Sequence, residues 1–308
     1  VESAFINFYK NNLAPHLDPL EDFRHESAKT IKLRLIISLI IAVFAFGAFY
    51  SGLIEAGILI SITAIVVLGL AYQKLQEMIT KLRRPYKSTI MPTLLSFRFE
   101  AFEYIPNQRI AKSEADKSRL FPGEVILLEG EDFMRFRIGQ TGIMFCESRI
   151  ECRNLENYYF TNGIFIVATF NKNFQHETIV FKRTFNSILK RNTPPPALSD
   201  LNYIALEDTL FMKKFEVMGS DQVGSRFILT PSLMERLVKY ASNFKSGISF
   251  SFIQNRLYCF IPNSRNLFEP RLFEPLNSAT YHYEQLQQID LFTGIVEELN
   301  LNVRIWGA

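Results

Sequence analysis

The sequence predicts an α+β protein: an N-terminal two-helix transmembrane hairpin followed by a mixed, largely antiparallel sheet domain with packed helices. Three observations predict it. From Leu35 to Ala71 the only charged residue is Glu55. Short β-branched and aromatic runs punctuated by turn residues then fill the middle of the chain. Near the C-terminus the apolar residues return to helical spacing.

The hydrophobic content of 48% and mean hydropathy of +0.05 are close to the soluble average, so the apolar excess is local. Thirty-four basic against 31 acidic residues leave a net charge of +3, too slight to argue for a nucleic-acid partner. Three cysteines give no disulfide framework and fit a reducing compartment. Val1 in place of an initiating methionine implies a missing or processed native amino terminus. The apolar stretch lies too far in and runs too long for a signal peptide.

One crossing of a hydrocarbon core of about 30 Å takes about 20 residues, and this stretch is about twice that, so two helices are expected. The first is expected over Leu35 to Tyr50 and the second over Ile58 to Tyr72, both short for a full crossing. Ser51, Gly52, Glu55 and Gly57 mark the turn between them, with Glu55 read as a solvated loop residue. Basic residues flank both ends: Lys29, Lys32 and Arg34 before, and Lys74, Lys81, Arg83, Arg84 and Lys87 after. Positive charge stays on the cytoplasmic side, which places both termini there. The same charges also suit anionic lipid headgroups. Ala48, Gly52 and Ala56 have a close-packing spacing but straddle the expected turn.

Four segments follow. Residues 1–34 form a cytoplasmic helical segment, with Asp18, Pro19 and Glu21 as its helix-start signal. Residues 35–72 form the hairpin. Residues 73–98 form a juxtamembrane stalk whose stripe of Leu75, Met78, Ile79 and Leu82 is expected to stop at Pro85. Residues 99–308 form a cytoplasmic α+β domain, in which the prolines at 194–196 make a loop or a junction between two halves near 191–200.

Within that domain 105–130 reads as a loop-rich entry. Phe133 to Ile138 and Ile143 to Cys152 flank a Gly139-Gln140-Thr141-Gly142 turn as a hairpin. Gly163 to Phe170, Thr178 to Phe181, Phe215 to Met218 and Arg226 to Leu229 read as strands. Thr230-Pro231 starts a helix. Ile248 to Phe252 and Leu257 to Ile261 read as a second hairpin turning at Gln254-Asn255. A final helix spans about Tyr283 to Asn300, with Leu286, Ile289, Phe292 and Val296 on its apolar face.

No catalytic residue, cofactor site or metal site is assigned. Cys146 and Cys152 are six apart on one strand, about 20 Å, which one metal ion cannot bridge. Cys259 adds no recognisable ligand spacing. His16, His25, His176 and His282 form no helical metal pair, and no phosphate-binding loop, nucleophile elbow or dinucleotide fingerprint occurs. Glu124, Glu129, Glu131 and Asp132 make the densest acidic patch, which suits either a solvated loop or a divalent cation.

Several stretches together resemble a bacterial family catalogued as domain of unknown function 3137. They are Ser118-Arg119-Leu120-Phe121, Gly130-Glu131-Asp132, Gly163-Ile164-Phe165 through Phe174, Ser220-Asp221-Gln222 through Met234, Leu267-Phe268-Glu269-Pro270, and Leu299 through Trp306. The resemblance implies a double span in the bacterial inner membrane, a cytoplasmic domain, no assigned activity, and a link with LemA-type membrane proteins. The anchor and a large domain without a catalytic signature suggest a membrane-anchored scaffold that binds protein partners and self-associates. A membrane-tethered hydrolase with an unrecognised site and a lipid-headgroup-binding domain are the alternatives.

Overall fold

The structure, a computed structural model, describes residues 2–121, 123–154, 157–183, 198–263 and 266–299. The expected junction at 191–196 and the carboxyl end from Asn300 to Ala308 lie outside these residues. The chain divides into two compact units: Val1–Arg98 with Leu267–Leu286, and Phe99–Asn266 with Gln287–Ala308.

In the first unit, helices α1 (Ser3–Phe8) and α2 (Ala14–Tyr50) are joined by a π-helical turn, Tyr9–Leu13. The expected start at Asp18 is therefore corrected, because Pro19 lies inside α2. A proline in a helix interior costs about 3 kcal/mol. Phe5, Tyr9, Leu13 and Leu17, at four-residue spacing, are all buried. Each such burial contributes about 1.5–3 kcal/mol, so packing outweighs the proline.

The turn is shorter than expected: Gly52, at a φ of 80°, sits between Ser51 and Leu53, and α3 (Ile54–Pro85) begins at once. Glu55 thus belongs to the first turn of a helix, where a carboxylate complements the dipole, and not to a loop. The extra turn brings the apolar part of α3 to about 28 Å, close to a full crossing. Pro85 does not end the helical run either. A second π-helical turn, Tyr86–Ile90, leads into α4 (Met91–Ser96), and Tyr86, Ile90, Met91, Leu94 and Leu95 are buried.

Gly57, Ala64, Ala71 and Met78 are buried along α3 at seven-residue spacing, the seam along which two helices pack closely. Gly52 and Ala56 stay exposed. Two bonds tie α2 to α3: Ser38 Oγ donates to the Ala64 carbonyl at 3.0 Å, and Arg34 donates to the Leu70 carbonyl at 2.7 Å. Both helical runs, Ser3–Tyr50 and Ile54–Ser96, are long and apolar enough to cross a membrane, with only 11% and 17% of their most apolar stretches buried.

The second unit is a seven-stranded antiparallel sheet with helices packed on it. Its strands are β1 (Phe102–Ile105), β2 (Glu124–Ile138), β3 (Thr141–Asn154), β4 (Asn157–Lys182), β5 (Asn202–Tyr203), β6 (Phe215–Gly219) and β7 (Ser249–Pro262), in the order β1-β2-β3-β4-β6-β5 with β7 also on β4. Its helices are α5 (Lys112–Ser118), α6 (Thr209–Lys214), α7 (Gln222–Ile228), α8 (Pro231–Ala241) and α10 (Ile295–Glu298). Helix α9 (Ala279–Thr293) begins in the first unit and ends in the second.

The β2–β3 hairpin turns as expected. Ile138 pairs with Thr141, leaving Gly139, at a φ of 58°, as the first of two turn residues. The second hairpin is corrected: β7 is continuous, both halves pair with β4, and Gln254, at a φ of 53°, lies where the register shifts, with the extra residues on β4. The two runs expected on either side of Phe174 are likewise one strand, β4. Residues 226–228 are helical and not a strand, because Asp221 caps α7 by accepting from the Gly224 amide at 2.6 Å. The loop-rich entry holds α5 and the start of β2. The last helix breaks at Gly294 between α9 and α10.

One face of the sheet buries Cys146, Ile150, Phe165, Tyr258 and Phe260 against Ile110 and Phe121. On the other, Phe145 stacks on Phe136 and meets Phe292 edge to face at 5.4 Å.

Candidate functional site

The two π-helical turns of the first unit face the same histidine. Tyr9 lies in one turn and Tyr86 in the other, and each ring centroid is 6.0 Å from that of His282 on α9. π-Helical turns insert an extra residue and often mark functional places in helices. Here they carry polar aromatic tips into a closed interior. His282 is 0% exposed. Its Nε2 donates to the Leu276 carbonyl at 2.8 Å, which fixes the neutral tautomer and leaves Nδ1 as an acceptor without a partner. The Tyr9 hydroxyl is also buried without a partner.

Gln285, one turn further on, is saturated. It accepts from the Tyr86 hydroxyl at 2.7 Å and donates to the Leu267 carbonyl at 2.9 Å and the Tyr281 hydroxyl at 3.0 Å. Burial holds the His282 pKa below its ordinary value. Burial, with the negative charges of Asp18 and Glu21, pushes Tyr9 up to about 12. Around this cluster Glu21 pairs with Arg24 at 2.6 Å and accepts from the Leu276 amide, and Lys87 pairs with Glu269 at 2.7 Å. Closed to solvent, the cluster suits registration of the helices that carry it.

The sequence held one unread signal for it. His282 and Gln285 share the stripe i, i+3, i+4, i+7 with Leu286 and Ile289, so two polar side chains lie on a buried helix face.

The second unit carries an open polar cleft of about 360 Å³ whose lining includes Glu129, Glu131, Glu147, Arg149, Asn162 and Asn263. Register explains the grouping. Glu129, Arg149 and Asn162 form one row across β2, β3 and β4, and Glu131 stands directly opposite Glu147 two residues further along. Carboxylates in opposed positions repel. The lining presents acceptors from the carboxylates, donors from Arg149, and both from the asparagines, a set suited to a polar ligand. No histidine lines it, and Ser148 Oγ lies 3.2 Å from Cys146 Sγ, so the described lining holds no nucleophile and base pair.

The acidic patch is thus divided. Glu129 and Glu131 reach the cleft. Glu124 pairs with Arg153 at 2.7 Å at the far end of β2. Asp132 is 0% exposed at a bulge, with a φ of 57°, and accepts from the Tyr104 hydroxyl at 2.6 Å. The three cysteines are free and buried, and burial pushes each thiol up, the state of inert small hydrophobes. His16 and His25 are exposed on α2, and His176 packs beside Gly224. None of the histidines is brought together with a cysteine or with the cleft among the described residues.

The stretches behind the resemblance have structural roles. Arg119, at the end of α5 with a φ of 53°, pairs with Glu177 at 2.6 Å and with Asp200. Thr230 caps α8. A β-carbon at Gly163 would run into the Ile261 carbonyl of β7.

Such a chain, a sheet domain combined with an apolar helical hairpin, belongs to a class defined by architecture and not by a reaction. Residues 160–301 match the model of a family described as "Protein of unknown function (DUF3137)". The chain carries the domain of that family over those residues, and the stretches at 118–121 and 130–132 precede it. No curated protein matches the chain. Among solved structures, the crystal structure of the mycobacterial trehalose monomycolate transport factor A, TtfA, is similar at 11% identity over 67% of this chain and 91% of that one. Its TM-score of 0.34 is too low to transfer fold or activity.

Proposed function

We propose that this chain is an inner-membrane protein whose two helices span the bilayer and hold the sheet domain at the cytoplasmic face, where it binds partner proteins as a scaffold. The observation that carries the anchor is the chemistry of the exposed hairpin. Leu39, Phe44, Phe46, Leu59 and Ile65 are each at least 66% exposed, a belt that water would not tolerate on a folded protein. Every Ser and Thr between Leu35 and Ala71 returns its hydroxyl hydrogen to a backbone carbonyl: Ser38, Ser51, Ser61 and Thr63. Lipid demands that. Tyr50 and Tyr72 stand exposed near the two ends, where interfacial aromatics belong.

Partner binding is supported by apolar side chains left on the domain surface. Val223 and Phe227 lie one turn apart on α7, 76% and 64% exposed. Crosslinking in native membranes, gentle extraction and mass measurement test it: adducts or a multi-copy complex are expected. A lone monomer by both methods would remove the scaffold in favour of the membrane-tethered hydrolase, which the polar cleft at Glu129 and Glu131 favours. A LemA-type protein is the partner that the family resemblance suggests.

A further inference from the structure

On the face of the sheet opposite Glu147, where β2 turns into β3, lies a groove of about 520 Å³. Its size falls within the range of roughly 300–1,000 Å³ typical of small-ligand sites. Three arginines stand along it, Arg135, Arg137 and Arg256, with Glu103 as its one carboxylate among the described lining.

Register puts them there. Arg137 pairs with Gly142 across β2 and β3, and Arg256 pairs with Thr169 across β7 and β4. A β-carbon on Gly142 would lie 3.5 Å from Thr169 Oγ1, so these two rows adjoin. With strands about 4.8 Å apart, the backbones of Arg137 and Arg256 stand about 14 Å from each other, within joint reach of two arginine side chains. Between them lie Gly142, which has no side chain, and Thr169, whose hydroxyl borders the hollow. Met144 and Val167, paired on β3 and β4, form the apolar floor.

Two of the arginines have a carboxylate partner, and the third does not. Arg135 pairs with Glu103 at 2.7 Å, but both side chains are about half exposed, and such pairs are worth roughly 0–1 kcal/mol. Arg256 forms an ion pair with the largely buried Glu114 at 3.1 Å, which orients it and takes up part of its donor set. Arg137 donates to the Gln140 side chain at 3.4 Å, a long bond to a neutral acceptor. Each guanidinium has five donors, so unused ones remain for an anion at all three positions.

We propose that this groove binds a phosphate group, with Arg137 and Arg256 clasping it over Gly142, Arg135 completing the cage, and the apolar floor taking the carbon chain attached to it. Forked guanidinium donors fit phosphate oxygens two at a time. Two sources share this chemistry, the headgroup of an anionic lipid and a soluble phosphate. The lipid source rests on the membrane reading above; the phosphate source does not.

The test uses the full chain in nanodiscs of phosphatidylcholine, titrated by calorimetry with short-chain phosphatidic acid, inorganic phosphate or short-chain phosphatidylcholine. Saturable binding of phosphatidic acid with little response to phosphate assigns the lipid source, and comparable binding of both assigns the soluble one. Arg137→Gln and Arg256→Gln should each weaken the anion about tenfold, the loss of a charge-assisted contact. Gly142→Val, which fills the hollow and leaves the charge intact, should weaken it as well. Arg153→Gln, on the other face of β3, should not. Absence of saturable anion binding, equal binding of phosphatidylcholine, or unchanged affinity in the Arg137→Gln, Arg256→Gln double variant would overturn the proposal. A chain that washes off membranes yet binds phosphate would sink the membrane reading alone.

Discussion

The Tyr86 hydroxyl donates to Gln285 Oε1 at 2.7 Å, joining positions 199 residues apart inside the helical unit. Tyr86 is 0% exposed and Gln285 2% exposed, so neither atom has water as an alternative. The bond therefore locks the second π-helical turn to α9.

Tyr86→Phe keeps the ring and removes the donor, leaving a buried amide oxygen unsatisfied. The expected loss is about 1–3 kcal/mol of stability, read as a lower urea midpoint of the detergent-solubilised chain. Gln285→Leu, which removes both the acceptor of the Tyr86 hydroxyl and the donor to the Leu267 carbonyl, should cost at least as much. An unshifted midpoint in both variants would show that the network is not formed.

His282 gives the same unit a dependence on pH. Burial, first, and the charge of Arg271 hold its pKa in the folded chain below the ordinary value of 6.5. Above 6.5 both folded and unfolded chains carry a neutral imidazole, and stability is complete. As pH falls through 6.5 the unfolded chain takes up a proton that the folded chain refuses. Stability then declines by up to about 1.4 kcal/mol per pH unit until the folded pKa is reached. Urea midpoints between pH 8 and 5 should follow that course, and His282→Gln should flatten it. A parallel pH profile in the variant would assign the titration elsewhere.

What the sequence made legible were features decided locally. The hairpin at Gly139 follows from a glycine whose turn type needs positive φ, and the apolar helices follow from a run with one charge. What it hid were features decided by a distant partner. Gln254-Asn255 reads as a turn, and only β4, long enough for both flanks to pair with it, keeps β7 running through. Pro19 and Pro85 read as helix boundaries, yet the buried stripes on either side outweigh them. Glu129 and Glu131 were visible as a patch, whereas Glu147 and Arg149 join them only through the register of β3.

Gly163 lies between Ser148 of β3 and Pro262 of β7 in the middle of the sheet. A methyl there meets the Ile261 backbone oxygen and the Phe260 ring, and a backbone atom cannot swing aside. Gly163→Ala should destabilise the domain by about 1–3 kcal/mol, as overpacking does. Thr161→Ala, in the same strand, should be milder. Equal melting temperatures for wild type and Gly163→Ala would mean that the strands sit further apart.

The last prediction concerns sidedness. Lys29, Lys32 and Arg34 precede the apolar hairpin, and Lys74, Lys81, Arg83, Arg84 and Lys87 follow it, so a hairpin that crosses twice would put all this positive charge at one face of the bilayer. The Ser51–Leu53 connection carries none, and Glu55 adjoins it at the start of α3. Alkaline phosphatase, active only outside the cytoplasm, should be active when inserted at Gly52 and silent when fused to Ala308. Green fluorescent protein at Ala308 should fluoresce. Two further changes separate charge from mere hydrophobicity. Replacing the eight flanking basic residues with Gln should scramble the pattern, whereas replacing Glu55 with Gln should leave it intact, because acidic residues contribute little to orientation. Phosphatase activity at Ala308 in the unaltered chain would place the sheet domain outside the cytoplasm and end the reading of it as a cytoplasmic scaffold.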